Sequence, residues 1–287
     1  MKLKAWLSRN KDFFNPRDWR FLLKQIYPKK ALPLRRLEKI KADYKRGVPI
    51  AYSLGKEEFY GLEFKINKNV LVPRPETEIL VEKALEIIEK NRALSGSFPS
   101  IHPARGGTLR ERVVSKGATM NVLDLCCGSG VIAVAIKKFA APKVMVTAAD
   151  FSKKALSLAR ANARAHKAAI RFVQGDLFVP LKNKKFDLIL ANPPYVAGKD
   201  IRGSLLHEPR LALYAADNGL AIIKKIIIQA SHFLNLKGAL MIEVGFNQRA
   251  RLDKFLSGVS FYANPVWIKD YSGHNRLLCL TKNYPLQ

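Results

Sequence analysis

Asn192-Pro193-Pro194-Tyr195 is the stretch of this chain best suited to chemistry, because it directly follows the buried-strand run Phe186-Asp187-Leu188-Ile189-Leu190-Ala191. Each proline fixes φ and lacks an N–H, so carbonyls here are not easily drawn into a regular ladder and stay free to face a ligand. The Asn192 amide oxygen and the Pro193 carbonyl form a pair of acceptors that suits the two hydrogens of a planar NH2 group, in a glutamine side chain or in a nucleobase. Tyr195 adds a flat face for stacking. Alone, these four residues also read as a plain proline turn after a strand; a second motif upstream decides between the two.

Val122-Leu123-Asp124-Leu125-Cys126-Cys127-Gly128-Ser129-Gly130 reads as a short apolar strand entering a tight loop of small residues. Val131, Val134, Ala135 and Lys138 follow at helical spacing, with Ile132 and Ile136 as a second apolar row. The loop therefore sits at a helix N-terminus, where small residues allow close approach of a ligand and free N–H groups favour a carboxylate. The next strand-like run, Val144 to Ala149, ends in Asp150, at about the interval where a doubly wound fold places a ribose-binding carboxylate. A dinucleotide site wants G-x-G-x-x-G, whereas this loop has only Gly128 and Gly130 in a D-x-C-x-G-x-G pattern. That pattern resembles the nucleotide loop of S-adenosylmethionine-dependent methyltransferases, with Cys126 in place of the first glycine. Cysteine disfavours positive φ, so an ordinary backbone conformation is expected at Cys126.

Several elements must hold these residues in place. Trp6, Phe13, Phe14, Trp19, Leu22, Leu23 and Ile26 predict short amphipathic helices in a small N-terminal domain. The alternation from Phe59 to Val72 predicts a β-hairpin. A helix opens at Pro75, with Glu76 and Glu78 at its positive end and a core stripe of Leu80, Ala84, Ile87 and Ile88. Asn91 to Met120, rich in Ser, Gly, Pro and Arg, reads as a flexible connection. Beyond it, strands ending near Leu125, Ala149, Val173 and Ala191 alternate with helices. A long helix from Asp217 to Asn235 follows, then strands at Ala239–Val244, Ser260–Ile268 and Leu277–Thr281. The organisation expected is a helical domain over 1–46, a β-hairpin connection over 47–75, a helix and linker over 76–120, and an α/β domain over 121–287.

Further segments carry a resemblance to a named family. Gly47-Val48-Pro49-Ile50-Ala51-Tyr52, Pro73-Arg74-Pro75-Glu76-Thr77-Glu78, Glu208-Pro209-Arg210-Leu211, Asp217-Asn218-Gly219-Leu220 and Glu243-Val244-Gly245, together with Asn-Pro-Pro-Tyr, resemble the release factor glutamine methyltransferase family. The resemblance implies a seven-stranded Rossmann-like α/β methyltransferase domain, mostly parallel with one reversed edge strand. It also implies methyl transfer from S-adenosylmethionine to the glutamine amide nitrogen of a release factor's Gly-Gly-Gln motif. On matching positions, Cys126, Cys127, Gly128, Ser129 and Gly130 would hold the methionine part of the cofactor and Asp150 its ribose. Asp176 and Leu177 would border the adenine, Asn192 would touch the cofactor, and Asn192, Pro193, Pro194 and Tyr195 would hold and orient the glutamine. Leu177 stands where the family commonly has tryptophan, and Ala51 where it has glutamine. The helical region before Gly47 is shorter than is typical. Two sister activities share the Asn-Pro-Pro-Tyr geometry: a ribosomal-protein glutamine methyltransferase, and an adenine-amine methyltransferase acting on DNA or RNA.

Bulk properties narrow the class. The chain has 287 residues, 48% of them hydrophobic, enough for a large core. Three cysteines without C-x-x-C pairing fit a reducing compartment, and the five histidines show no metal-ligand spacing. With no long apolar run, no membrane span or secretory signal is expected, and a cytoplasmic monomer follows. The net charge of +27 attracts polyanions, and through Arg46 fifteen basic residues stand against four acidic ones. This suits guidance to an acidic protein partner, or to RNA or a ribosome near one.

Overall fold

The computed structural model describes residues 2–27, 32–95, 119–140 and 143–283. Four helices open the chain: α1 (Lys2–Asn10), α2 (Pro16–Ile26), α3 (Leu34–Lys45) and α4 (Ile50–Leu54). The start of α2 is fixed locally, because the Asn15 side chain accepts the Asp18 N–H at 2.8 Å and Pro16 occupies the first turn. Trp6, Phe14, Leu22, Leu37 and Ile40 form a small core that also takes in Ile50 and Leu54, so helical packing continues past residue 46. The hairpin strands β1 (Lys56–Phe59) and β2 (Leu62–Lys65) are shorter and earlier than the alternation over 59–72 suggests. Tyr60 and Gly61 both adopt positive φ and turn the chain there.

Helix α5 (Pro75–Ser95) buries Ile79, Leu80, Val81, Ala84 and Ile88. Residues 91–95 of the expected link belong to it, and residues 96–118 lie outside the described residues. The main sheet follows, with strands β3 (Met120–Leu125), β4 (Val144–Asp150), β5 (Ile170–Gln174), β6 (Phe186–Ala191), β7 (Leu234–Glu243), β8 (Val266–Lys269) and β9 (Asn275–Thr281). They lie in the order β5-β4-β3-β6-β7-β9-β8. Alternating strand residues divide the core between two faces. Val122, Leu188 and Leu190 pack with α5, α6 (Val131–Phe139) and α7 (Lys153–Ala165), while Leu123, Leu125, Ile189 and Ala191 pack with α9 (Ala221–Phe233) and α10 (Arg249–Leu256). A short α8 (Arg210–Leu213) lies outside these layers.

Three expectations are corrected. The reversed strand is β9, antiparallel to both β7 and β8, so it sits one place inside the edge. Helix α9 starts at Ala221 rather than Asp217, because Asp217, Asn218 and Gly219 all take positive φ and cannot continue a right-handed helix. Strand β8 starts at Val266 rather than Ser260, since Pro265 lacks the N–H a ladder requires. Among the described residues no helix is long and apolar enough to cross a membrane, and no group of three or more His, Cys, Asp or Glu is placed to hold a metal ion.

Asn162 on α7 joins the hairpin to the main domain. Its Oδ1 accepts the Lys65 N–H at 2.9 Å, and its Nδ2 donates to the carbonyls of Lys65 at 3.1 Å and Ser129 at 2.9 Å. The residue is 1% exposed, so losing the amide leaves those backbone groups without partners in a dry place. Asn162→Ala is expected to lower stability by about 2–4 kcal/mol, read as a shifted midpoint in urea unfolding.

Candidate active site

The strand ends set the site. Leu125 pairs with Ala149 on one side and Ala191 on the other, so Cys126, Asp150 and Asn192 leave the sheet abreast. They border a cavity of about 510 Å³. One wall is the segment from Lys68 through Arg74 with Thr77 of α5; another is Leu125 to Ser129 with Val131 and Ile132 at the start of α6. Asp150 to Ser152 and Gly175 to Leu177 form a third, and Asn192, Pro194 and Pro209 to Tyr214 include most of the fourth.

The loop after β3 is internally braced. The Cys127 N–H bonds Ala149 O at 3.0 Å, and the Gly130 N–H bonds Cys127 O at 2.7 Å. The Gly128 N–H bonds Asp150 Oδ2 at 2.8 Å. Asp124 Oδ2 accepts the Ala133 N–H at 3.0 Å, and burial pushes the Asp124 carboxyl pKa up to about 8. Cys126 departs from expectation: its φ is +63°, in the left-handed region. The turn must swing the chain from β3 onto the brace with β4, and the cysteine accepts strain of about 1–2 kcal/mol to do so. Its thiol is pushed up by burial and then by the charges of Asp150, Asp124 and Asp176, so it remains protonated and unreactive. Gly130 has φ of +81°, and a Cβ there would approach Ala159 Cβ at 3.0 Å, so helix packing as well as conformation requires glycine.

Asp150 Oδ1 accepts the Ser152 N–H at 2.8 Å, leaving both carboxylate oxygens with lone pairs toward the cavity they line. Burial raises its pKa, partly offset by the hydrogen bonds from Ser152 and Gly128. Asp176 is exposed, and its carboxylate pairs with Lys225 Nζ of α9 at 2.8 Å. Leu177 is buried with φ of +45° and forms cavity wall. Phe151, 60% exposed, presents the aromatic surface next to Asp150 that Leu177 lacks.

Asn192 donates from Nδ2 to Thr77 Oγ1 at 3.0 Å, and its Oδ1 is buried with no hydrogen-bond partner among the described residues. An orphaned buried acceptor is costly, so a donor from a ligand is the natural complement. Pro194 lines the cavity, while Pro193 is buried beside it. Tyr195 is corrected: it does not line the cavity. Its ring packs in the core beneath, and its hydroxyl donates to Glu243 Oε1 at 2.8 Å. The aromatic side chain on this wall of the cavity is Tyr214, with the Arg210 guanidinium 4.8 Å from its ring centre. Behind the motif, Gln248 Nε2 donates to Tyr195 O at 2.9 Å. Gly219 lies so close that a Cβ would sit 2.0 Å from the same oxygen.

The far wall is tied down by Glu208, whose side chain is fully buried. It pairs with Arg74 and accepts the Val72 N–H at 3.0 Å. Periodicity marks neither Glu208 nor Thr77, although both fall in the Glu-Pro-Arg-Leu and Pro-Arg-Pro-Glu-Thr-Glu runs.

Strand order, braced loop and Asp150 define an S-adenosylmethionine-dependent methyltransferase. The residues fit that cofactor: a cavity of the right scale, a carboxylate with spare acceptor capacity at the end of β4, and a small-residue loop at the mouth of α6. The Methyltransferase small domain family matches residues 93–260. The chain is 32% identical over 272 residues to a release factor glutamine methyltransferase of Enterococcus faecalis, covering 92% of this chain and 88% of that one. It is 37% identical to one of Vibrio cholerae, covering 85% and 77%. A methyltransferase from Pyrococcus furiosus shares the fold, with a TM-score of 0.53 and 17% identity over 88% of this chain and 98% of that one. This chain belongs to the release factor glutamine methyltransferase family.

Asp150→Asn is expected to weaken S-adenosylmethionine binding by at least about tenfold in calorimetry, since a hydrogen bond to a charged acceptor contributes about 1.5–3 kcal/mol. In the unaltered enzyme the same prediction extends to pH, because only the ionised carboxyl keeps both oxygens as acceptors. Because burial raises its pKa, affinity should decline as pH falls, starting above the ordinary carboxylate range.

Proposed function

We propose that this enzyme methylates the side-chain amide nitrogen of the glutamine in the Gly-Gly-Gln motif of peptide chain release factors, with Asn192 as the group that orients the acceptor. The observation that carries this reading is Asn192 Oδ1, a buried acceptor without a partner among the described residues, level with Cys126 and Asp150 at one cavity. The relatives in Enterococcus faecalis and Vibrio cholerae bear the same activity in their names.

A carboxamide nitrogen is a poor nucleophile because its lone pair is delocalised into the carbonyl. S-adenosylmethionine supplies an electrophilic methyl group when bound. The protein's share is positioning. With one N–H of the glutamine directed at Asn192 Oδ1 and the other at the Pro193 carbonyl, the nitrogen lone pair would be left free to face the methyl donor. Positive charge grows on that nitrogen during transfer, and the fixed oxygen dipoles stabilise it more than they stabilise the neutral amide. The proton leaves afterwards to water, so no strong base is required. Asp150 would take the ribose hydroxyls, Cys126 to Gly130 the methionine part, and Phe151 and Leu177 would supply apolar wall for the adenine.

The N-terminal helices, over residues 1–46 in the domain division proposed here, are suited by their basic excess to dock an acidic surface of the protein substrate. A cytoplasmic location belongs to the same reading, supported by three free cysteines.

The test incubates the enzyme with labelled S-adenosylmethionine and either an unmethylated release factor or its Gly-Gly-Ala version. Label should enter only the first; equal labelling of both, or labelling of nucleic acid alone, would reject the assignment. Asn192→Ala should lower kcat by at least about 100-fold while cofactor affinity stays within about threefold, the signature of lost orientation rather than lost binding.

A further inference from the structure

The two ends of a carboxamide are alike in shape, so only hydrogen bonds decide which end of Asn192 faces the cavity. If Nδ2 faced it, the site would present a donor to an NH2 group and repel it. The partner that settles the matter is Thr77, 3% exposed at the opening of α5 and 115 residues away in sequence, whose Oγ1 accepts Asn192 Nδ2 at 3.0 Å.

Glu243, at the end of β7 and fully buried, accepts the Tyr195 hydroxyl at Oε1. Glu243 Oε2 has no hydrogen-bond partner among the described residues, and the nearby Thr77 hydroxyl favours the ionised carboxylate. Burial raises the Glu243 pKa and the Glu76 charge adds to that; the hydroxyls of Thr77 and Tyr195 and the charge of Arg276 oppose it. A hydroxyl has one hydrogen. While Oγ1 accepts from Asn192 Nδ2, that hydrogen is left to turn away from Asn192. With Thr77 Oγ1 accepting from Nδ2, the other end of the amide, Oδ1, is the end left at the cavity.

We propose that Thr77 is a positioning residue for methyl transfer, fixing the Asn192 amide so that its oxygen and not its nitrogen meets the NH2 group of the acceptor. This rests on the reading of Asn192 as the acceptor-orienting group. It gives the Pro-Arg-Pro-Glu-Thr-Glu run a task in the chemistry beyond starting a helix. Thr77 need not touch the reacting atoms to matter, because a wrongly turned amide removes the near-attack geometry while leaving the cavity's shape intact.

The experiment compares full-length wild-type enzyme with Thr77→Val, Thr77→Ser and Asn192→Ala, using labelled S-adenosylmethionine and an unmethylated release factor. Thr77→Val, equal in shape but without the hydroxyl, should lower kcat by roughly 10- to 100-fold while KM for the release factor and cofactor Kd stay within about threefold. Thr77→Ser, which restores the hydroxyl, should recover the rate to within about fivefold of wild type. A Thr77→Val enzyme with kcat within about twofold of wild type would overturn the proposal, as would a Thr77→Ser enzyme no faster than Thr77→Val. If the Thr77→Val loss appears instead as weakened cofactor binding or a collapsed melting temperature, the hydroxyl is only structural and the proposal also fails. Asn192→Ala separates the two levels: if it transfers methyl at the wild-type rate, the acceptor site itself is misread. If it is inactive while Thr77→Val is active, only the role of Thr77 is lost.

Discussion

The parallel pairing of β3 with both β4 and β6 is the constraint on which the site depends. Parallel strands in register end at one edge, and here Leu125, Ala149 and Ala191 stand side by side. Whatever follows each of them must therefore converge. Cys126 starts the loop, Asp150 offers a carboxylate and Asn192 an amide, and α6 begins at the same edge. A register slip of one residue on any of the three strands would turn its apolar set to the wrong face as well as displace its functional residue, so core packing and active-site geometry are enforced together.

Around that edge, polar groups are satisfied with one conspicuous exception. Asp150 braces the loop, Glu208 holds Arg74 and the Val72 amide, and Gln248 holds the Tyr195 carbonyl. Among the described residues, Asn192 Oδ1 alone combines burial, a place on the cavity and the lack of a partner. In the function proposed above this unmet acceptor orients the substrate, because the energy of the missing hydrogen bond is recovered only when a donor of the right shape arrives. The other unmet atoms among the described residues, on Asn10, Asp124, Gln229 and Glu243, belong to residues that do not line the cavity.

The site is also assembled from distant parts of the chain. Thr77 and Asn192 are 115 residues apart, and Arg74 and Glu208 are 134 apart. The hairpin is pinned through Asn162, which also holds Ser129 O in the cofactor loop. The segment between hairpin and α5 thus becomes a wall of the cavity and not a spacer between domains.

Local sequence determined the parts whose physics is local. An apolar run ending in small residues and a helical stripe marks the loop after β3, and a strand ending in Asn-Pro-Pro marks the second motif; both lie where expected, as do Asp150 and the start of α5 at Pro75. The rest was decided by tertiary packing. Cys126 takes positive φ because its neighbours must reach β4, which outweighs the residue's own preference. Tyr195 turns into the core because Glu243 awaits its hydroxyl there, and Lys225 claims Asp176 from another helix. The position of β9 inside the sheet, and the contact between Thr77 and Asn192, depend on which segments meet across the fold. Residue type sets what a side chain can do within a few positions of itself, but only the packed sheet brings its partner within hydrogen-bond reach.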